Sequence, residues 1–188
     1  MSRIPAHARC VFQGILFDVY QWDQELFDGS TTTFEAVRRI PSVQILATTP
    51  ERELILLREE QPYVGAFVAV PGGRVERGVT PEETVRRELR EELGMEAESL
   101  ALWHVERYGS TIEWTGYDFI ARRCRQVCPP QQEPGERIEP YLVSFDQFLV
   151  EVERPDFRNR TLAARVFRMR HTPGAIDEFR ALLFANGG

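Results

Sequence analysis

The apolar and aromatic positions of the first forty residues suggest a pair of strands. Cys10–Gln21 mixes apolar and aromatic residues as a strand does, and Thr31–Arg39, rich in Thr, Phe and Val, can be the strand that returns. Between them, Leu26-Phe27-Asp28-Gly29-Ser30 carries the Asp-Gly signal of a tight hairpin turn. Val43–Thr48 and Leu54–Arg58 are two further short strands around the turn Thr49-Pro50-Glu51-Arg52. Phe67–Val70 is an apolar run that stops at Pro71-Gly72-Gly73.

The period then becomes helical. Val85, Leu89 and Leu93 form an i, i+4, i+8 stripe. Thr80 is an N-cap, Pro81 takes the first helical position, Glu83 completes a capping box, and Gly94 ends the helix. Ala101–Glu106, Trp114–Arg122 and Arg137–Val143 follow as strands. Ser144-Phe145-Asp146-Gln147 opens a second helix to about Glu153, which Pro155 breaks; Phe157–Met169 and Ile176–Phe184 are helical. The polar, proline-containing stretch from Arg123 to Glu136 is expected to be a long irregular loop. Many strands, one central helix and a helical C-terminal part make an α+β chain.

The chain has 188 residues, enough for one domain with a small extra lobe. Its net charge of −6 argues against binding nucleic acid over a broad basic face. All 23 basic residues are arginine. Lysine nucleophiles, Schiff bases and a P-loop lysine are therefore excluded, and any anion contact must use Arg, backbone N–H groups or a metal ion. No apolar run approaches the roughly 20 residues of a membrane span, and Met1-Ser2-Arg3-Ile4-Pro5 has no signal-peptide core. No membrane partner is expected. Cys10, Cys124 and Cys128 are odd in number and fit no zinc spacing, so a cytoplasmic location is expected, with Cys124 and Cys128 as ordinary surface thiols. His7, His104 and His171 are scattered and read as surface or packing residues, and Trp103 and Trp114 as core.

Glu88, Glu91 and Glu92 share about 100° of the central helix. Such a face is either solvated and relieved by pairs such as Glu83–Arg87 and Arg87–Glu91, or a cation site. The Gly-Gly turn at the preceding strand end lets backbone approach a ligand closely, and Mg²⁺ binds carboxylate and carbonyl oxygens together with substrate phosphates.

From Gly73 to Met95 the chain resembles the Nudix box, G-x5-E-x7-R-E-U-x-E-E-x-G-U, where U is a bulky aliphatic residue. Gly73, Arg87, Glu88, Leu89, Glu91, Glu92, Gly94 and Met95 match. The flanks resemble the ADP-ribose pyrophosphatase-like branch: the N-terminal strand pair, Arg38-Arg39 before a strand, Glu60-Gln61, and Glu136-Arg137-Ile138-Glu139 before a capped helix. The resemblance covers roughly Val11 to Val152. It implies an α/β/α sandwich with a mixed sheet and an N-terminal antiparallel strand pair. Residues 1–40 would form a hairpin segment for dimerisation and substrate binding, and 41–188 the Nudix domain with C-terminal helices.

The resemblance also implies roles. The Gly72 carbonyl, Glu88 and Glu92 would hold Mg²⁺ or Mn²⁺, with Glu91 as an auxiliary ligand or orienting group. Arg87 and Gly73 would be structural. A loop glutamate, Glu133 or Glu136, would act as general base or further ligand. Two departures stand out: Val79 occupies the first glutamate position of the box, and Gln61 is followed by Pro62-Tyr63 where the branch often has a phosphate-clasping Arg. Arg58 or Arg39 could substitute. Phe17, Tyr20 and Trp22 are either strand packing or a surface on which a nucleobase stacks. The implied activity is hydrolysis of a nucleoside diphosphate sugar, ADP-ribose first, by a homodimer. The alternatives are another nucleotide sugar (a GDP- or UDP-sugar), a non-hydrolysing nucleotide sensor, and a hydrolase of nucleoside triphosphates or dinucleoside polyphosphates.

Overall fold

A computed structural model describes residues 3–109, 111–132 and 134–185. The first expected strand is divided into β1 (Arg9–Gln13) and β2 (Phe17–Glu25), which pair antiparallel. The Gly14 N–H donates to the Phe17 carbonyl at 2.9 Å, closing a tight turn within an apparently continuous pattern. A Cβ at Gly14 would stand 2.7 Å from that carbonyl oxygen, so glycine marks the break. β3 (Thr31–Arg39) returns antiparallel along β2, with Phe17 opposite Arg39 and Glu25 opposite Thr31. Asp28 holds the turn by accepting from the Ser30 N–H and hydroxyl.

The chain continues through β4 (Ser42–Ala47), β5 (Leu54–Gln61), β6 (Gly65–Ala69) and α1 (Pro81–Leu93). β7 (Met95–Glu96), β8 (Ser99–Gly109), β9 (Ile112–Arg122), β10 (Arg125–Gln126) and β11 (Arg137–Val143) come next. The chain closes with α2 (Phe145–Glu151), α3 (Arg160–Arg170) and α4 (Ala175–Leu183). β9 organises the larger sheet. It runs parallel to β3 at its start and parallel to β4 thereafter, with β8 antiparallel beside it. β11, β5 and β6 form a second, antiparallel sheet. The N-terminal hairpin therefore shares its sheet with the strands that follow it.

Strands buried on both faces explain the near-continuous apolar runs in β4 and β5. Val43, Ile45, Ala47, Ile55 and Leu57 face α1, where Val85, Leu89 and Leu93 pack on them. Leu46, Leu54 and Leu56 face the other way, onto Phe148, Phe157, Val166, Phe179 and Leu183 of the C-terminal part. Helices thus cover both sides of a mixed sheet, the expected α/β/α sandwich. Trp103 stacks on Phe179 with ring centroids 4.9 Å apart, at the edge of the second core.

The stretch from Arg123 to Glu136 is more ordered than its composition suggests. β10 pairs with β7. The Val127 and Cys128 N–H groups donate to the Gly94 carbonyl, and the Gln131 N–H donates to the Glu91 carbonyl at 2.8 Å. The Gln126 amide donates to the Leu93 carbonyl. These bonds satisfy carbonyls that the last turn of α1 leaves without helical partners, so the loop is latched to the helix. Cys124 correspondingly proves to be buried, not a surface thiol, and burial pushes its thiol up to about 12. Helix α3 starts at Arg160 instead of Phe157, because Asp156 and Arg158 are taken up by a pairing with β6.

Candidate active site

Helix α1 begins as its sequence predicts. The Thr80 hydroxyl accepts from the Glu83 N–H, and the Glu83 carboxylate accepts from the Thr80 N–H at 2.8 Å. The far end stops at Gly94, whose backbone is left-handed at φ 65°. With register and ends set, Glu88 and Glu92 are buried against the sheet, whereas Glu91 is partly exposed at the helix flank.

The Gly-Gly turn lies directly over these carboxylates. The Gly72 N–H donates to a Glu92 carboxylate oxygen at 3.0 Å. The Pro71 and Gly73 carbonyls accept from β4, leaving the Gly72 carbonyl between them outside that ladder. A Cβ at Gly72 would overlap the Val43 carbonyl, and one at Gly73 would overlap the Glu88 carboxylate. Both positions therefore need glycine because strand, turn and helix approach so closely.

Two further acidic residues complete the cluster. Glu59 follows Ile55 and Leu57 on the α1-facing side of β5, and Glu136 lies just before β11. The Gln61 side-chain N–H₂ donates to Glu59 at 2.6 Å and to Glu136 at 3.3 Å. Burial pushes the Glu92 carboxyl well above the usual carboxylate range. Glu88, Glu59 and Glu136 push it the same way, against the Gly72 hydrogen bond. Glu59 is also raised, first by burial and then by Glu136, with Gln61 and Arg158 opposing.

Arg87 braces the helix side of the cluster. Its guanidinium donates to Glu88 at 2.9 Å and Glu91 at 3.4 Å, and to the Arg74 carbonyl. Glu133 lies outside the described residues.

The expected substrate contacts separate. Tyr20 and Trp22 share one face of β2, where the Tyr20 hydroxyl accepts from Arg38 and Trp22 tilts against Phe34. Phe17 points to the opposite face, with its register partner Arg39. The three aromatics therefore do not form one stacking platform, because strand alternation divides them. Arg39 is half-buried, lies 5.3 Å from the Trp114 ring centroid, and has Arg74 and Arg158 near it. Arg58 falls on the wrong side of β5 to substitute for a clasping arginine. It stacks on Tyr141 at 4.3 Å and approaches Glu139, on the face opposite Glu59.

A model of the NUDIX domain matches residues 38–165, more than half of the chain. The chain belongs to the Nudix family. Two curated relatives are similar to it over 91 residues, 48% of this chain and 49% of each relative. They are the ADP-ribose pyrophosphatase of Bacillus subtilis (strain 168), at 36% identity, and the methanol dehydrogenase activator of Bacillus methanolicus, at 33%. The chain thus spans about half the length of these relatives. A crystal structure of an ADP compounds hydrolase superposes with a TM-score of 0.71 at 22% identity, covering 88% of this chain and 91% of that one, a likeness of fold.

Within the Nudix box, the structure explains how Val79 is accommodated. Glu76, in the turn that Val79 closes by donating to the Glu76 carbonyl, reaches Arg87 at 3.5 Å. A second carboxylate at position 79 would add one more partly exposed ion pair, a class worth up to about 1 kcal/mol. Val79→Glu is therefore expected to change kcat/KM by less than about fivefold in steady-state assays.

Among the described residues, no three Asp, Glu, His or Cys side chains close into a preformed cage. Glu88 leans on Arg87 and Glu92 on the Gly72 N–H, as mutually repelling carboxylates do. The donors nevertheless suit a hard divalent cation. They are all oxygen, and the negative charges surrounding Glu92 raise its proton affinity as they would attract a cation. The alternation of β5, with Ile55 and Leu57 facing α1, is the sequence signal that points to Glu59. Arg158 carried no signal, because nearly a hundred residues separate it from Gln61.

Proposed function

We propose that this chain is a pyrophosphatase dependent on Mg²⁺ or Mn²⁺ that cleaves the phosphoanhydride of a nucleoside diphosphate sugar, ADP-ribose first, giving a nucleoside monophosphate and a sugar phosphate. The observation that carries this reading is the gathering of Glu88, Glu92, Glu59 and Glu136 beside the Gly72-Gly73 turn. The match to the NUDIX domain and the likeness to an ADP-ribose pyrophosphatase support it.

Glu88, Glu92 and the Gly72 carbonyl would hold the cation, with Glu91 as an auxiliary. Bound there, a divalent ion neutralises diphosphate oxygens and lowers the pKa of an attacking water. The protein's own groups do the rest. Arg87 keeps Glu88 and Glu91 from turning away, and the Gly72 N–H fixes Glu92. Glu136, which Gln61 orients and which lies close enough to act on Glu92, would take a proton from water. Exposed Phe12 and Phe17, on one face of the N-terminal strands, suit a homodimer interface. A cytoplasmic location belongs to the same reading. Among the described residues, no helix is long and apolar enough to cross a membrane.

The test is a panel of ADP-, GDP- and UDP-sugars, nucleoside triphosphates and dinucleoside polyphosphates with Mg²⁺, the products identified by chromatography. AMP and ribose 5-phosphate from ADP-ribose, lost on chelation, is the expected result. Tight binding with every ligand recovered intact would make the protein a sensor and overturn the reading.

A further inference from the structure

Arg158 comes from the C-terminal part of the chain, yet it stands at the acidic site. Its backbone is clamped as an added edge to β6. The Val68 N–H donates to the Asp156 carbonyl at 3.0 Å, and the Arg158 N–H donates to the Val68 carbonyl at 2.8 Å. The neighbours anchor this pairing: Phe157 is fully buried, and the Asn159 side-chain oxygen accepts from the Val70 N–H. A side chain on so rigid a mount has a defined reach.

The guanidinium is also oriented. It lies over the Phe67 ring, 4.5 Å from its centroid, and donates one N–H to the Gln61 carbonyl oxygen at 3.3 Å. Through Gln61 it is one side chain away from both Glu59 and Glu136. A planar guanidinium with one edge occupied and one face stacked still offers a two-pronged donor edge, which matches two oxygens of a phosphate.

Its cationic neighbours are informative. Arg39 is half-buried beside Arg158 and Arg74, and among the described residues none of the three closes an ion pair with a carboxylate. Arg74 is brought there by its bridge to Ser42, three residues after Arg39. Glu59 is the acidic group facing Arg158. Crowded like charges that one nearby carboxylate only partly offsets raise the free energy of the folded protein, and an anion among them lowers that cost.

We propose that Arg158, with Arg39 and Arg74, forms the subsite that grips the diphosphate of the substrate, Arg158 supplying from the C-terminal segment the clasp that the Gln61-Pro62-Tyr63 sequence lacks. The proposal rests on the reading of the site as a nucleotide-sugar pyrophosphatase. The substrate's negative oxygens then lie between arginines on one side and the cation-bearing carboxylates on the other. The C-terminal segment is thereby part of the site.

The test uses the full chain with Mg²⁺ and α,β-methylene ADP, whose bridging carbon resists hydrolysis, in titration calorimetry beside adenosine. Arg158→Ala is expected to raise the Kd for the diphosphate analogue at least about tenfold while leaving that for adenosine unchanged, the loss of one charged hydrogen bond. Arg158→Lys should recover part of the loss by restoring charge without the fork. With a nucleotide sugar that is turned over, the Arg158→Ala loss should appear chiefly in KM. Unchanged diphosphate affinity in Arg158→Ala, or equal weakening for adenosine, would overturn the proposal. A wild-type protein that binds the analogue through Arg158 but hydrolyses nothing would instead overturn only the enzymatic reading.

Discussion

Glu92→Gln is expected to lower turnover by roughly 10³-fold, about 4 kcal/mol of lost transition-state charge stabilisation, while leaving the metal-free protein at least as stable as wild type. The two effects share one cause. Glu92 is buried within reach of Glu88, Glu59 and Glu136, an arrangement that is unfavourable until a cation is present. A glutamine keeps the shape and can still accept from the Gly72 N–H, but it carries no charge. The pH dependence has a definite sign. Burial and negative neighbours raise the folded-state pKa of Glu92, so the stability linked to its protonated form is fully present below the ordinary glutamate range and is lost as pH rises through the raised value. Glutamine does not titrate. In chelator, the variant's melting temperature should therefore gain on the wild type's as pH rises from about 4.5, the ordinary glutamate range, toward 8. Calorimetric melts across that range check it. A variant that is less stable at high pH, or one that keeps turnover within tenfold, contradicts the assignment of Glu92.

Arg165→Ala should cost about 3–5 kcal/mol of stability, which in a chain this long is a fall of roughly 10 °C in melting temperature. Arg165 on α3 donates to Asp118 of β9 and, at 2.9 Å, to Glu106 of β8. Asp118 is only 1% exposed, and its other carboxylate oxygen has no hydrogen-bond partner. Burial raises its pKa, with Arg165 the main opposing influence. Without the arginine, the carboxylate stays buried with only His104 left to oppose the cost. Its folded-state pKa then rises further, so the deficit of Arg165→Ala should shrink as pH falls and the carboxylate takes up a proton. A double change, Asp118→Leu with Arg165→Met, should recover much of the loss, because apolar groups of similar size need no partner. Denaturant melts of the cycle at pH 5 and 8 measure both effects; a deficit independent of pH contradicts the charge argument.

Local chemistry made several features legible in advance. The capping box at Thr80, the stripe of Val85, Leu89 and Leu93, and the stop at Gly94 place the helix to within a residue, because each acts within one or two helical turns. The paired faces of β4 and β5 follow from their unbroken apolar runs. The structure departs from the sequence pattern at one local turn and where a distant segment supplies the partner. Gly14 breaks the first strand through a hydrogen bond that composition does not show. The loop after Arg123 is ordered by carbonyls at the end of α1, some thirty residues earlier in the chain.

The amino-acid sequence by itself determined the order of the longer strands and of the helices, the register of the central helix, and the placing of Glu88, Glu91 and Glu92 on one side of it, since these depend on contacts a few residues apart. Only the tertiary structure decided which acids and bases meet. It added Glu59 to the cluster, turned Arg58 away, divided Phe17 from Tyr20 and Trp22, and brought Arg158 across to Gln61. The reason is physical: strand alternation and sheet pairing join residues by face and by register, and neither quantity exists until distant segments of the chain have packed.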